Sequence, residues 1–318
     1  MDVGICFHRE EGARTVTERA LQAEALGFNE FWVIEDCFYT SGPTLAAAAL
    51  TATEEITVGI GIMPVVARNA AVTAMELATL AALAPGRFHG GLGHGVQSWM
   101  EQMNERVASP LTALEETFDA VRRLLDGETV SVEGRYVTLR DVALDAPPSP
   151  RPLLSAGVRG PKSMEVSSRC ADGVILADFV SADYVRAVRE QLGAGDQRIT
   201  VFASLDLAAD RNELADHRAG IAHFMAGVAA DAPISLRTAP FWSELEASAA
   251  SVGWYDAIVA MPNEWWSMIS GVGVAEDVIA YVASLREAGA DAVAFFPDPF
   301  EPTEATARAG EVLLPLLR

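Results

Sequence analysis

Arg159-Gly160-Pro161-Lys162 sets two cations around a glycine–proline step, and Lys162 is the only lysine in a chain with 22 arginines. Proline suits the first position of a helix, where its missing N–H costs nothing. A helix starting there aims free N–H groups and the positive end of its dipole at an anion, and Arg159 and Lys162 add formal charge. Gly157 and Gly160, on either side of Val158 and Arg159, allow unusual backbone angles and close approach of a ligand. Phosphate binding is the chemistry this stretch suits; an ordinary strand-to-helix turn with two solvated cations is the alternative.

Four other stretches carry groups for proton or ring chemistry. In Gly93-His94-Gly95 the glycines suit a flat ring lying on backbone or simply a tight turn, and His94 is a candidate proton donor because imidazole titrates near neutrality. His8 has the same standing at the end of the first apolar run. In Glu35-Asp36-Cys37 a period of two sends the carboxylates to opposite faces, so one of them lines any site. That carboxylate suits general acid–base work or a bond to a cofactor ring, with a salt bridge on the rim as the alternative. Cys37 lacks an identifiable base and is a poor nucleophile candidate. Gly61-Ile62-Met63 closes a third run, with Arg68 just beyond. His89, at the start of a run, and His217 and His223, on a helix, are expected to be structural. The three cysteines are far apart and outside any CxxC spacing, so neither a disulfide scaffold nor a metal site is expected.

The elements that must position these residues alternate along the chain. Apolar runs at 3–8, 30–36, 56–64, 87–95, 153–158, 172–178, 198–208 and 291–299 read as strands. Amphipathic stretches at 15–26, 43–53, 70–84, 111–125, from 161, 182–192, 213–225 and 275–288 read as helices, with a final helix closing the chain. Eight near-continuous apolar strands, each followed by a helix, predict a (β/α)8 TIM barrel. A doubly wound open sheet is the alternative, less suited to eight repeats without an early GxGxxG. The sequence predicts one domain over 1–318, with surplus length at 96–110, 128–150 and 228–274. Residues 128–144 alternate as a hairpin turning at Glu133-Gly134. In such a barrel chemistry sits at the C-terminal ends of the strands, where all the stretches above fall.

At 50% hydrophobic the chain can bury a large core, and no apolar run approaches the ~20 residues needed to span a bilayer. The N-terminus lacks the basic and apolar regions of a signal peptide, so a cytoplasmic, reducing setting is expected. A net charge of −21 excludes the basic footprint of nucleic-acid binding, and makes any anion depend on a locally positive spot.

Taken in order, these stretches resemble a known family. "TVGIGIMPVVARNAAVTAMELATLAALAPGRFHGGLGHG" is similar to the strand 3 to strand 4 segment of the bacterial luciferase-like superfamily. "AGVRGPKSMEVSSRCADGVIL" resembles the strand 5–helix–strand 6 segment of its deazaflavin (coenzyme F420) branch, typified by methylenetetrahydromethanopterin reductase. "VGVAEDVIAYVASLREAGADAVAFFP" is similar to the closing helix and strand. The resemblance implies a TIM barrel binding F420, or FMN as the alternative, at its C-terminal mouth. It implies that Gly160-Pro161-Lys162 holds the cofactor's phosphate-bearing tail and that Gly93, His94 and Gly95 lie beside the cofactor. It also implies a bulge with a cis peptide at Gly61-Ile62 behind the ring. One position departs from the pattern: many F420-dependent relatives read Asp-His-Phe where this chain has Asp36-Cys37-Phe38. Glu35, Asp36, His8 or His94 would then have to supply any proton. The expected activity is F420-dependent hydride transfer to or from a small organic substrate. An FMN-dependent monooxygenase and a cofactor-binding protein without turnover are the alternatives, and homodimers are common in the superfamily.

Overall fold

The computed structural model describes residues 1–193 and 195–317. Eleven strands are found among them: β1 Asp2–Phe7, β2 Glu30–Val33, β3 Thr57–Pro64, β4 Phe88–Gly93, β5 Val130–Glu133, β6 Thr138–Val142, β7 Leu153–Gly157, β8 Gly173–Ala177, β9 Arg198–Leu207, β10 Gly271–Gly273 and β11 Ala292–Phe296. Nine of them pair in parallel: eight close in the order β1-β2-β3-β4-β7-β8-β9-β11, with β11 pairing back onto β1, and β10 adds to the end of β9. The sheet is therefore a closed TIM barrel, and closure rules out the open doubly wound alternative.

The strands read as continuous apolar runs because both faces are buried. On β9, Val201, Ala203 and Leu205 pack outward with the helices. Phe202 packs inward with Cys6, Trp32, Ile34, Ile175 and Ala294. The N-terminal half of the barrel is plugged by polar groups, several of which pair with one another. Glu30 accepts hydrogen bonds from Trp32 Nε1 (2.8 Å) and Arg198 (2.6 Å), while His89 meets Ser155 Oγ at 2.8 Å. Burial depresses the His89 pKa to about 3, so this ring is a neutral core group, as its place at the start of a strand suggests.

Two strands end earlier than the sequence pattern suggests. β2 stops at Val33 and β4 at Gly93, so Glu35, Asp36 and His94 lie in the loops of the barrel mouth. The 128–144 segment forms the antiparallel hairpin β5–β6, held down by Glu116, which accepts from the N–H groups of Arg135, Tyr136 and Val137. The stretch 96–110 contains one short helix, Gln97–Gln102. Between β9 and β10 the aromatic-rich insertion is largely helical, at Leu214–Ala230, Ile234–Arg237, Trp242–Val252, Trp254–Val259 and Asn263–Ile269. Its tryptophans close a second apolar cluster with Phe179, Met225, Leu236 and Ile269, so most of them pack the roof rather than floor an open pocket. Among the described residues no helix is long and apolar enough to cross a membrane.

Candidate functional site

The mouth of the barrel has an apolar floor made by one misregistered strand. The pairing of β3 with β4 shifts between Ile60 and Met63, and the Gly61–Ile62 peptide is cis, as the resemblance implies. Met63 turns into the core at 1% exposure. Ile62 instead lies across β4 and β7, where only glycine leaves room. A Cβ on Gly93 would come within 2.7 Å of Ile62 Cδ1, and one on Gly157 within 2.6 Å of Ile62 Cγ2. The glycines of the fourth and fifth barrel strands therefore seat Ile62. Beside the two readings the sequence leaves open, ligand approach or a tight turn, the space their missing side chains leave is taken by Ile62. Gly61 is fixed by a similar constraint, because a Cβ there would meet the Phe202 ring at 2.5 Å. Gly95 adopts φ +69, which favours glycine, as β4 turns into the Gln97–Gln102 helix.

Beside this floor, β7 runs into the helix Pro161–Cys170, with Pro161 in its first turn. Gly160 is the N-cap and no side chain caps the helix, so the N–H groups of its first turn are left free. A Cβ at Gly160 would meet nothing within 4 Å, so space is open directly above the helix start. Lys162 is exposed and forms no ion pair or hydrogen bond among the described residues. Val158 is buried, and Arg159 is bound to Asp178 at the end of β8, while Tyr184 Oη donates to the Arg159 carbonyl at 2.6 Å. His94 reaches the same corner: its Nε2 lies 3.2 Å from Ser163 Oγ, and its Nδ1 is buried without a partner. Burial lowers the His94 pKa, partly offset by the nearby Pro110 backbone. A free helix terminus and an unpaired ammonium thus gather in one corner of the mouth, beside the His94 Nε2–Ser163 contact, and a phosphate-bearing ligand fits them.

At the end of β2 the two carboxylates separate as the alternation predicts. Glu35 turns into the helix layer, where Arg68 grips it with two bonds (2.5 and 2.9 Å) and the Gly42 N–H donates to Oε2 at 2.8 Å. Both oxygens are occupied, so Glu35 and Arg68 act as a brace behind the mouth. Asp36 faces the mouth and accepts from Arg9 at 2.8 Å, and the Arg9 guanidinium stacks on Tyr39, 4.8 Å from the ring centre. The Cys37–Phe38 peptide is also cis, and Phe38 and Tyr39 are left exposed on the rim. Burial, together with the charges of Glu35 and Asp36, pushes the Cys37 thiol pKa up, which disfavours a nucleophilic thiolate.

On the far side, His8 Nε2 bonds the Pro297 carbonyl at 2.6 Å. Near the end of β9 stands a pair that sequence reasoning does not find: His217 Nδ1 and Asp206 Oδ1, 2.5 Å apart, both partly buried. Helical placement of His217 suggests a structural residue. The signal is on the strand: Asp206 shares the inward parity of Phe202, so its carboxylate belongs to the mouth. His223 stacks on Tyr255 at 4.2 Å, as expected for a packing residue.

Comparison with known proteins agrees with this geometry. The model of the luciferase-like monooxygenase family matches residues 2–292. A 5,10-methylenetetrahydromethanopterin reductase from Methanolobus tindarius is 28% identical over 62% of this chain and 60% of its own length. An F420-dependent glucose-6-phosphate dehydrogenase from Beutenbergia cavernae is 32% identical over 58% of this chain and 59% of its own length. In both cases the match spans about three-fifths of the relative. Among solved structures, the coenzyme F420-dependent tetrahydromethanopterin reductase of Methanopyrus kandleri superposes with a TM-score of 0.82 at 18% identity, covering 100% of this chain and 99% of that one. The family match extends from β1 into β11 and takes in every residue of the mouth described above except His8's partner Pro297. The chain belongs to the luciferase-like monooxygenase family.

Proposed function

We propose that this protein is an F420-dependent oxidoreductase acting on a small organic substrate. The observation that carries the reading is the corner at the start of the Pro161–Cys170 helix: an uncapped N-terminus and Lys162 without an acid partner among the described residues, with His94 Nε2 at Ser163 beside them. In a chain of net charge −21 such a corner suits a phosphate-bearing ligand. F420-dependent glucose-6-phosphate dehydrogenases among the relatives support the choice of cofactor. When bound, the deazaflavin supplies the hydride chemistry.

The rest is the work of this chain. Lys162, Gly160 and the first-turn N–H groups hold the tail, with Arg159 within reach. Ile62, standing on Gly93 and Gly157, supports a planar ring from below. Gly95 and His94 bound it on the β4 side. Substrate enters between the exposed Phe38 and Tyr39 on one rim and Val96 on the other, so the ligand is partly apolar. The insertion packed around Trp242 and Trp266 closes the top and excludes water.

Fluorescence titration of the purified protein with F420 and separately with FMN tests the reading. Tight binding of F420 with weak FMN binding is the expected result. FMN binding without F420 binding would move the protein to the monooxygenase reading. F420 binding without turnover across a broad panel of carbonyl and alcohol substrates would make it a binding protein.

A further inference from the structure

Two consecutive residues at the end of β8, Asp178 and Phe179, both adopt positive φ, 65° and 56°. Neither is glycine, and for a bulky aromatic residue that conformation is costly. Such local strain is retained where the surroundings enforce it, and it serves as a pointer to function. Here it breaks the in–out alternation of the strand. Phe179 turns up into the core of the insertion, 5.6 Å from Phe224. Asp178 is left facing the barrel mouth, its carbonyl pinned by Ser235 Oγ at 3.1 Å. The side chain is 23% exposed and its one ionic partner among the described residues is Arg159, itself 47% exposed. Across the mouth its charged neighbour is Asp36, whose own partner is Arg9. Arg159 lines an open surface cavity of about 410 Å3 together with His223, Phe224, Asp231 and Pro233, so its side chain borders free space.

We propose that Asp178 is the proton-carrying carboxylate of the site, and that it takes up its proton when Arg159 leaves it for the anionic tail of the cofactor. The proposal rests on the F420 reading above. Arg159 stands three positions before Lys162 at the tail corner, and the one carboxylate lining its cavity is Asp231. A phosphate at that corner competes with Asp178 for the same guanidinium. Once Arg159 turns away, Asp178 keeps Asp36 as a like-charged neighbour in a site from which ligand has expelled water. Both effects favour the protonated acid. Burial and Asp36 already raise its pKa with Arg159 in place. His223 and Asp231 are the other titratable groups around Arg159; Tyr184 holds its backbone.

The chemistry balances. When a carbonyl or imine carbon accepts a hydride, its π bond breaks and the electron pair moves to the heteroatom. The Asp178 O–H bond then breaks, the heteroatom takes the proton, and Asp178 returns to carboxylate. In the oxidative direction Asp178 accepts the proton from the hydroxyl as the carbon loses hydride. The proton is thereby assigned to a residue at the end of β8, on the opposite side of the barrel from Cys37.

Isothermal titration calorimetry of the full chain with F420, in buffers of different ionisation enthalpy, reads protons taken up per ligand bound. Net uptake is expected with F420 and none with the deazaflavin chromophore lacking its phosphate tail. Asp178→Asn should lose the uptake and bind F420 about two- to fivefold more tightly, the scale of a half-exposed ion pair that no longer has to be broken. Arg159→Met should also lose the uptake but bind more weakly. Thermal melting of each variant checks that it folds. Binding of F420 with no proton uptake, or uptake retained in Asp178→Asn, overturns the proposal. If F420 does not bind at all, the cofactor reading fails, and inorganic sulfate, which does not titrate in this range, tests the exchange alone. Uptake with sulfate that Asp178→Asn abolishes supports it; equal uptake or none in the two proteins overturns it.

Discussion

Ile62 rests on Gly157: a methyl group added to that glycine would lie 2.6 Å from Ile62 Cγ2 and 3.1 Å from its Cγ1. Gly93 makes the same demand from the neighbouring strand, with Ile62 Cδ1 at 2.7 Å. The floor of the mouth is thus a mutual fit between one bulged strand and two glycine strands.

Gly157→Ala should displace Ile62 and cost about 1–3 kcal/mol, the usual scale of overpacking. Deleting the clashing atoms should relieve it, so the double variant Gly157→Ala/Ile62→Ala should be more stable than the sum of the single variants implies. Urea unfolding of the four proteins measures this. Strict additivity would show that Ile62 is not what excludes a side chain at 157.

Lys162→Ala should weaken F420 binding roughly ten- to a hundredfold, the range for losing a hydrogen bond to a charged group. Binding of the chromophore without its tail should be unchanged. The salt dependence of F420 affinity should also become shallower, since one screened attraction is gone. An equal loss with and without the tail would place Lys162 elsewhere in the site.

The barrel is legible in the sequence because its strands are buried on both faces and some of its helices stop at a glycine, such as Gly27 and Gly289 at φ 87 and 100. The start of the Pro161–Cys170 helix is legible because Gly160-Pro161 is local helix-start chemistry. What sequence does not resolve depends on contacts between distant segments. Glycines at 93 and 157 read equally well as ligand-facing backbone until Ile62 is seen to fill the space. Glu35 reads as no less available for proton transfer than Asp36, and only the position of Arg68 separates them. Asp206 and His217 are eleven residues apart on a strand and a helix, and their meeting needs the angle at which the helix leaves β9. The turn at Asp178 carries no glycine or proline to announce it.

Glu35 and Arg68 should behave as a structural couple. Arg68→Ala leaves a carboxylate of 7% side-chain exposure with only the Gly42 N–H as partner, and should cost about 3 kcal/mol. The double variant Glu35→Gln/Arg68→Met should cost less than Arg68→Ala alone, because the more deeply buried Glu35 charge is then gone, while Glu76, 3.2 Å from Arg68 and 30% exposed, loses its partner in both. Chemical denaturation of the two variants decides this. If the double variant is the less stable, the pair contributes attraction beyond the cost of its own burial.

His89 should set part of the acid limit of the fold. Its folded pKa of about 3 lies below the ordinary 6.5, so between those values the unfolded chain binds a proton that the native ring does not. Stability from keeping this ring neutral is therefore complete above about pH 6.5 and is lost as pH falls toward about pH 3, amounting to a few kcal/mol at the acid end. His89→Gln keeps a polar partner for Ser155 but cannot take up the proton. Near neutral pH it should be the less stable protein, having lost the fitted ring against Trp32, whose centroid lies 4.8 Å away. The gap should narrow as pH is lowered from about 6.5 to about 4, because only in the wild type does the unfolded chain gain a proton at this position. Denaturant midpoints of both proteins across that range provide the measurement, and a gap independent of pH would mean that His89 titrates alike in the folded and unfolded chain.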